Sequence, residues 1–391
     1  MFNILTYNNI SAVGLERLPE SLYHTGPDVQ MPDAILLRSH DLHGVPIPPT
    51  VKAVGRAGAG VNNIPVAEYS RLGIPVFNAP GANANAVKEL VLAGMLLAAR
   101  NITEGWDYAR HLSGDDASLH EQIEKHKKHF AGFELAGKTL GVLGLGAIGV
   151  KVANAAIALG MRVVGYDPML TVDSAWQLSA AVMRASSIED LVARAELLTL
   201  HVPLNDHTRK AINATRLQLM KPGAVLLNFS RAGVVDEAAV GSALESGALK
   251  AYVSDFPGTT LKGKRGAISL PHLGASTAEA EDNCAIMVAD QLRDFLETGQ
   301  IRNSVNFPDT IMPLSEGVRL TVANQNVPNM VGQISSALAE ANLNITELLN
   351  KSRGDYAYTL IDLEADIPAT TLERIRGITG VLSLRIIPAH G

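Results

Sequence analysis

The stretch KTLGVLGLGAIGVKVANAAIALGMRVVGYDP, residues 138–168, decides the fold of this 391-residue chain. A β-rich run precedes the spacing G-x-G-x-x-G, an apolar helical run follows it, and a second β-rich run ends at Asp167. Gly144 permits a tight turn, Gly146 a close approach to the backbone, and Gly149 close packing of helix on strand. The order strand, turn, helix, strand predicts a parallel βαβ unit.

The same unit predicts a dinucleotide site. Backbone N–H groups at the start of the helix carry partial positive charge that suits a pyrophosphate. Asp167, at the tip of the second strand, would accept hydrogen bonds from ribose hydroxyls and repel a 2′-phosphate, and no Lys or Arg follows it closely. We therefore expect NAD rather than NADP as the cofactor. The opposing interpretation is a glycine-rich turn followed by a surface aspartate.

Alternating strands and helices on both sides of this unit predict an α/β protein with two Rossmann-like parallel-sheet domains. Residues 1–82 and 271–299 would form a substrate-binding domain, and residues 83–270 an NAD-binding domain, with a cleft between them. Residues 300–317 are rich in Pro, Asn and Ser, which indicates a linker. Residues 318–391 follow a βαββαβ pattern, which predicts a small ferredoxin-like domain.

Composition argues against several classes of protein. The net charge of -6 and a pI near 6.0 argue against nucleic acid or an anionic membrane as the main partner. The one cysteine, Cys284, allows neither an intrachain disulfide nor a multi-cysteine zinc site, so we expect a cytoplasmic protein without a metal. The N-terminal sequence has neither the basic region nor the long apolar stretch of a signal peptide.

Two residues at predicted strand ends could carry out chemistry on a secondary alcohol. Its oxidation requires a base for the hydroxyl proton and a cation for a neighbouring carboxylate. Arg231 follows the strand VLLNF and can bind a carboxylate through two hydrogen bonds. His272 follows the strand AISL, and an imidazole can take or return a proton near neutral pH. A surface arginine and a structural histidine are the alternatives, but both residues would lie at one edge of one sheet, which favours function.

Several motifs resemble those of the D-isomer-specific 2-hydroxyacid dehydrogenases, and the resemblance covers essentially the whole chain. They are KTLGVLGLGAIG, LTLHVPLNDHTR, LLNFSRAGVVDE and LPHLGAST. The resemblance implies NAD-dependent oxidation of 3-phosphoglycerate to 3-phosphohydroxypyruvate, the first step of serine biosynthesis. Two alternatives stay open: a reductase of another 2-keto acid, such as hydroxypyruvate or glyoxylate, and a non-catalytic protein that senses NAD or an amino acid.

The resemblance also implies roles for individual residues. Arg231 would hold the substrate carboxylate, His272 would be the acid/base, and Asp255 would contact the nicotinamide carboxamide. The implied cofactor contacts are Gly144, Gly146, Ala147, Ile148, Gly149, Asp167, His201, Val202, Pro203, Thr208, Phe229, Ser230, Asp255, Gly274 and Ala275. The implied substrate contacts are Arg38, Ser39, Arg56, Ala59, Gly60, Asn78 and Lys127. The two arginines and Lys127 would supply positive charge for the phosphate, although Lys127 could equally be a solvated residue of a basic run.

One departure from the family pattern concerns the partner of His272. The family usually has a glutamate, shortly after the position of Asp255, that hydrogen-bonds the catalytic histidine. Here that position falls on Thr259 or Thr260, and no Asp or Glu occurs from residue 256 to 278. Three alternatives follow: Asp255 serves both roles, another carboxylate folds in, or His272 acts without a carboxylate partner. We favour the first.

The C-terminal domain resembles the ACT regulatory domains, which often bind an amino acid, typically serine, between paired domains. The matching polar positions are Asn324, Asn326 and Asn344, whose amides can receive α-amino and α-carboxylate groups. Asn329 stands where the family often has glycine, which would narrow the pocket. A dimerisation module without a ligand is the alternative. The resemblance further implies a homodimer through the nucleotide domain or a homotetramer through the C-terminal domain.

Overall fold

The computed structural model describes residues 1–388, and these form two compact units. The central unit is Ala84–Thr277. The discontinuous unit combines Met1–Asn83 with the chain from Ala278 onward. Each unit has its own sheets and its own buried apolar residues.

Both boundaries of the central unit differ from the predicted range 83–270, the first by one residue and the second by seven. The sequence predicts that residues 271–277 belong to the substrate-binding domain, but they form part of the central unit. The backbone N–H groups of His272, Leu273 and Gly274 donate to Asp255 at 3.1, 2.7 and 2.7 Å. These bonds fasten the segment to the end of a central strand, so the chain leaves the central unit only at Ala278.

Residues 1–83 fold around a five-stranded parallel sheet. The strands are β1 (Phe2–Thr6), β2 (Tyr23–Gly26), β3 (Ala34–Leu37), β4 (Ala53–Arg56) and β5 (Val76–Phe77), and the helices are α1 (Ala12–Leu15) and α2 (Val66–Arg71). The strand order is β2-β1-β3-β4-β5. Every residue of β3 is buried, as expected where both faces of a parallel sheet are covered. Because the strands are parallel, the carboxyl ends of β3, β4 and β5 share one edge.

The central unit contains a seven-stranded parallel sheet. Its strands are β6 (Thr139–Leu143), β7 (Arg162–Tyr166), β8 (Met183–Arg184), β9 (Leu197–Leu200), β10 (Ala224–Asn228), β11 (Leu249–Ser254) and β12 (Ala267–Ser269). Its helices are α3 (Ala84–Ala99), α4 (Ile102–Arg110), α5 (Asp116–His126), α6 (Ala147–Ala158), α7 (Val172–Gln177), α8 (Ile188–Arg194), α9 (Ala214–Leu219) and α10 (Glu237–Glu245).

The order of the central strands determines where a ligand can bind. The sheet runs β12-β11-β10-β9-β6-β7-β8, so the direction of strand addition reverses between β6 and β9. In parallel α/β sheets, ligands bind beyond the carboxyl ends of the strands at such a reversal. Strands β6, β9 and β10 are buried along their whole length, so a ligand at this edge would meet the loops that follow them.

The second part of the discontinuous unit begins with a long helix and continues into an antiparallel sheet. The elements are α11 (Ala278–Thr298), β13 (Val318–Gln325), α12 (Met330–Glu340), β14 (Ile345–Arg353), β15 (Tyr356–Leu363), α13 (Ala369–Arg376) and β16 (Val381–Ile387). The strand order β14-β15-β13-β16 confirms the ferredoxin-like βαββαβ arrangement. The last residues of this predicted domain, 389–391, lie outside the described residues.

The ferredoxin-like sheet and the N-terminal part of the discontinuous unit share a core around α11. One face of the sheet packs against α12 and α13. The residues that join the other face to the shared core include Ala323, Tyr358, Leu360, Phe77, Phe295 and Phe307. The ferredoxin-like domain is therefore packed into its unit and is not attached only by a connecting segment.

The predicted linker, residues 300–317, is packed in the same way. Phe307 is fully buried. The side chain of Asn306 accepts the Val76 N–H at 2.8 Å and donates to the Ile74 carbonyl at 2.9 Å. The Pro and Asn residues, whose frequency indicates a linker, here lie in turns. A side-chain amide of this segment forms hydrogen bonds with backbone groups of the sheet domain it packs against.

The structure confirms the predicted class, parallel α/β domains with a small antiparallel C-terminal domain. None of the helices within residues 1–388 combines the length and the apolar character needed to cross a membrane. In the same residues, no group of three or more His, Cys, Asp or Glu side chains is arranged to hold a metal ion.

Candidate active site

The glycine loop after β6 has the geometry of a dinucleotide site. Gly144 has a φ of +90°, and a Cβ there would lie 2.5 Å from the His201 carbonyl oxygen. A Cβ on Gly149 would lie 1.9 Å from the Gly144 carbonyl oxygen. Gly146 precedes α6, borders open space and provides no side-chain cap, so the first N–H groups of α6 can receive an anion. These residues fit a bound NAD.

Asp167 lies at the carboxyl end of β7, where its side chain binds the glycine loop. Its Oδ2 accepts the Leu145 N–H at 2.8 Å, and its Oδ1 accepts the Met169 N–H at 2.8 Å. The carboxylate lines a cavity of about 490 Å³ beside β7 and β8. Arg184, from β8, lines the same cavity. The sequence analysis considered only cations that closely follow Asp167 and so did not identify Arg184, which reaches the cavity from the neighbouring strand.

His201 lies at the carboxyl end of β9, at the reversal of the strand order. Its Nε2 is 3.0 Å from the Oγ1 of Thr199, while its Nδ1 is buried and has no hydrogen-bond partner within the described chain. Burial lowers the pKa of His201 to about 3, because water no longer solvates the charged form. The imidazole is therefore neutral at physiological pH.

Arg231 follows β10 and is exposed at the same edge of the sheet. Its Nη1 donates to the Ser230 carbonyl at 2.6 Å. Asn228, the last residue of β10, donates through Nδ2 to the Arg231 carbonyl at 3.0 Å and accepts the Ser230 hydroxyl at 2.9 Å. Asn228 therefore fixes the backbone that carries the guanidinium. Sequence reasoning missed Asn228, whose position at a strand end was the available signal.

Asp255 connects the Arg231 loop to the His272 loop. Its N–H donates to the Asn228 carbonyl at 3.2 Å, and its carbonyl accepts the His272 N–H at 3.1 Å. Its Oδ1 accepts the Leu273 N–H and its Oδ2 the Gly274 N–H, both at 2.7 Å. The carboxylate is buried. Asp255 therefore binds the backbone beside His272.

His272 is exposed, and its backbone has a φ of +57° in the left-handed region. The ring packs edge-on against Phe256 at a centroid distance of 5.2 Å. Within residues 84–277 the imidazole makes no hydrogen bond. The favoured alternative, Asp255 as partner of the imidazole, is therefore not what the structure shows, because both carboxylate oxygens bind backbone N–H groups instead.

The predicted cofactor contacts gather at the carboxyl edge of the central sheet. Around β6 and β7 lie Gly144, Gly146, Ala147, Ile148, Gly149 and Asp167; after β9 lie His201, Val202, Pro203 and Thr208; after β10 lie Phe229 and Ser230; and beyond β11 and β12 lie Asp255, Gly274 and Ala275. The Thr208 hydroxyl donates to the Pro203 carbonyl at 2.5 Å and closes the loop after β9. The contacts themselves stay predictions.

The predicted substrate residues of the discontinuous unit lie at the carboxyl ends of β3, β4 and β5. Arg38 and Ser39 follow β3, Arg56 ends β4, and Ala59 and Gly60 lie in the loop that follows. Asn78, after β5, reaches this loop.

Side-chain amides hold these loops together. Asn78 donates through Nδ2 to the Ala59 carbonyl at 2.6 Å. Asn63 accepts the Arg56 Nε–H at 3.1 Å and donates to the Arg38 carbonyl at 3.2 Å. Asn8 accepts the Ser39 N–H at 3.0 Å. Sequence analysis did not identify Asn8 or Asn63.

Lys127 does not belong to this group. It lies in the central unit, in a 3-10 turn after α5, and its Nζ is 2.5 Å from Oε2 of Glu124. The side chain is 56% exposed. This surface pair, three residues apart, agrees with the solvated alternative of the sequence analysis, and a role at the substrate stays a prediction.

The predicted effector residues do not meet within one chain. Asn324 and Asn326 lie at one end of β13, whereas Asn344 precedes β14, which starts beside Leu363. Leu363 pairs with Val318 at the other end of β13, so Asn344 is separated from Asn324 by about 20 Å of strand. Asn324 Oδ1 is buried without a hydrogen-bond partner among the described residues. A shared site would require a second copy of the domain.

The sequence is similar to those of known oxidoreductases. Residues 92–274 match the family described as D-isomer specific 2-hydroxyacid dehydrogenase, NAD binding domain. The D-3-phosphoglycerate dehydrogenase of Haemophilus influenzae is 32% identical over 351 residues, which cover 87% of this chain and 82% of that protein. The D-3-phosphoglycerate dehydrogenase of Methanocaldococcus jannaschii is 37% identical over 308 residues, 76% of this chain. The chain spans about half the length of that second relative, 55%.

A solved structure agrees with the fold. The glyoxylate reductase from Paecilomyes thermophila superimposes with a TM-score of 0.63 at 26% sequence identity. The match covers 78% of this chain and 98% of that structure. The sequence comparison and the structure comparison therefore both find oxidoreductases.

Proposed function

The chain belongs to the D-isomer-specific 2-hydroxyacid dehydrogenase family of NAD-dependent oxidoreductases, and from this premise we propose that it oxidises 3-phosphoglycerate to 3-phosphohydroxypyruvate, the first step of serine biosynthesis. One observation supports the chemistry most directly. Arg231 and His272 lie at the same edge of the sheet as the glycine loop, and Asp255 and Asn228 join their two loops by hydrogen bonds.

Arg231 and His272 have complementary roles in the proposed reaction. Arg231 binds the substrate carboxylate and places C2, with its hydroxyl group, beside His272. His272 takes the hydroxyl proton on an imidazole nitrogen as the alcohol is oxidised. Bound NAD supplies the hydride acceptor. In the reverse direction His272 returns the proton to the reduced carbonyl oxygen.

The environment of His272 affects this proton transfer. Within the central unit the imidazole has no carboxylate partner, which supports the third alternative of the sequence analysis. The imidazolium formed during oxidation therefore lacks a direct counter-ion from its own unit. The hydrogen bonds from Leu273 and Gly274 to Asp255 hold the loop, so position rather than a charge relay prepares His272 for catalysis.

Arg38 and Arg56 support a phosphorylated substrate. They lie at the carboxyl ends of adjacent strands of one sheet, and Asn63 bonds both the Arg56 side chain and the Arg38 backbone. Two guanidinium groups at one sheet edge suit a phosphate, which they can bind through several hydrogen bonds.

An assay of NADH consumption tests the proposal. With 3-phosphohydroxypyruvate as substrate we expect a kcat/KM well above those for hydroxypyruvate and glyoxylate. The similarity to a glyoxylate reductase makes the unphosphorylated acids the appropriate comparison. Higher efficiency with glyoxylate would favour the alternative reductase. Absence of turnover with all three acids, combined with NADH binding, would favour the non-catalytic sensor.

Regulation and assembly form a second part of the proposal. We propose that the ferredoxin-like domain, in its similarity to ACT domains, binds serine through Asn324, Asn326 and Asn344 of paired copies, and that the protein is a homodimer or homotetramer. The helices α4 and α5 bury none of their residues, and Trp106 on α4 is 63% exposed, which suits a subunit contact. Light scattering would measure the oligomeric state. Thermal unfolding with millimolar serine would test the effector, because a ligand that binds the folded state raises Tm.

The proposal also covers the cellular compartment, for which the cysteine content is the evidence. Cys284 is buried and is the one cysteine of the chain, which fits work in a reducing compartment such as the cytoplasm.

A further inference from the structure

A carboxylate lies among the positive charges of the proposed phosphate site. Glu281 stands in the first turn of α11, and its Oε1 is 2.7 Å from Nη2 of Arg38. Burial raises the pKa of the Cys284 thiol, one turn further along α11, while the charges of Arg56 and Arg38 act to lower this pKa and that of Glu281 acts to raise it. Two guanidinium groups and one carboxylate therefore lie close to the same buried atom.

The two arginines are held in different ways. Asn63 accepts the Arg56 Nε–H, and a Cβ on Gly58 would lie 2.3 Å from Nη1 of Arg56, so the missing side chain leaves room for that guanidinium. The guanidinium of Arg38 forms an ion pair with Glu281. When a substrate phosphate approaches Arg38, the charge of the guanidinium is therefore already neutralised by the carboxylate of Glu281.

We propose that Glu281 is a counter-ion that sets how strongly this site prefers a phosphorylated substrate, an inference that rests on the proposed function. Without substrate, Glu281 neutralises Arg38. A phosphate dianion that binds Arg38 must displace Glu281 or tolerate its charge at short range, and like charges repel. The exchange is feasible because the side chains are 36% and 42% exposed, and exposed ion pairs contribute little net free energy. Glu281 therefore weakens phosphate binding and barely affects acids without a phosphate.

Glu281→Gln tests this directly because it removes the charge and keeps the shape. Glu279→Gln is the matched control, since Glu279 lies in the same first helical turn and has no ion pair with Arg38. We expect Glu281→Gln to raise kcat/KM for 3-phosphohydroxypyruvate about three- to tenfold at low ionic strength and to lower the Ki of inorganic phosphate by a similar factor. The value of kcat/KM for hydroxypyruvate, which has no phosphate, should stay the same. The gain should shrink as salt is added, because salt screens partly exposed charges.

A double-mutant cycle shows whether Glu281 acts through Arg38. In an Arg38→Gln background, Glu281→Gln should no longer change the Ki of phosphate. The proposal is overturned if Glu281→Gln leaves the preference for the phosphorylated substrate unchanged or lowers it, or if its effect persists without Arg38. Failure of the proposed function would look different, since the unmodified protein would then not reduce 3-phosphohydroxypyruvate.

Discussion

The carboxylate of Asp255 accepts the backbone N–H of Gly274 at 2.7 Å, two residues beyond His272. A second bond from the Leu273 N–H, also 2.7 Å, makes the contact bidentate. An aspartate that the sequence suggests as a partner of the imidazole thus binds the backbone of the loop that carries His272. Asp255 could hold the backbone of this loop or act as the partner of the imidazole, and a mutation can distinguish these two roles.

Asp255→Asn should weaken the hydrogen bonds that hold the loop of His272 and leave the proposed proton transfer by His272 intact. An amide can replace only one of the two acceptors, and loss of one hydrogen bond to a charged group costs about 1.5–3 kcal/mol. We expect a lower free energy of unfolding and a lower kcat/KM. The shape of the pH profile of kcat/KM should stay the same, because both carboxylate oxygens accept backbone N–H groups rather than bonding the ring. A clearly altered profile would restore the direct partnership.

His272→Asn should remove the acid/base function without disturbing the backbone. Asparagine tolerates the left-handed conformation, which His272 adopts at a φ of +57°. We expect kcat to fall by about 10²- to 10⁴-fold. NADH binding, followed by fluorescence titration, should be retained. His207→Asn, in the exposed loop after β9, is the control. Unchanged kcat in the His272 variant would exclude the proposed role.

Arg319→Met should strongly destabilise the discontinuous unit. Arg319 and Asp362 are both 0% exposed and share hydrogen bonds of 2.6 and 2.8 Å, and Arg319 also donates to the carbonyls of Thr298, Met312 and Pro313. Removing one partner of a buried ion pair costs about 3–5 kcal/mol. Denaturant unfolding would measure the loss.

The exposed ion pair of Arg374 and Glu340 provides the comparison for that experiment. Arg374→Met should leave the denaturation midpoint almost unchanged, since surface pairs contribute little. Equal effects of the two substitutions would mean that the buried network around Arg319 does not stabilise the unit.

His201 should make the protein less stable in mild acid. Its pKa is near 6.5 in the unfolded chain and about 3 in the folded one, so between these values the unfolded chain binds a proton that the folded chain does not. The free energy of unfolding should therefore fall as pH falls through this window, by up to about 1.4 kcal/mol per pH unit from this residue. Urea titrations at several pH values should show a shallower dependence for His201→Gln. Parallel slopes for the two proteins would contradict the assignment.

Local sequence determined much of this protein. The glycine spacing at residues 144–149, the β-rich runs around it and the βαββαβ pattern after residue 318 each depend on short-range geometry, which is the same wherever the segment occurs. The positions of Arg231 and His272 at strand ends followed from the parallel sheet, because parallel strands place their carboxyl ends at one edge.

Only the tertiary structure decided which polar groups pair. Asp255 binds the backbone beside His272, Glu281 pairs with Arg38 across more than two hundred residues of sequence, and the segment 300–317 is buried although its composition indicates a linker. Such pairings depend on distances between elements that are remote in the chain. Composition and periodicity describe the neighbours of a residue along the chain, whereas a hydrogen bond or an ion pair depends on its neighbours in space.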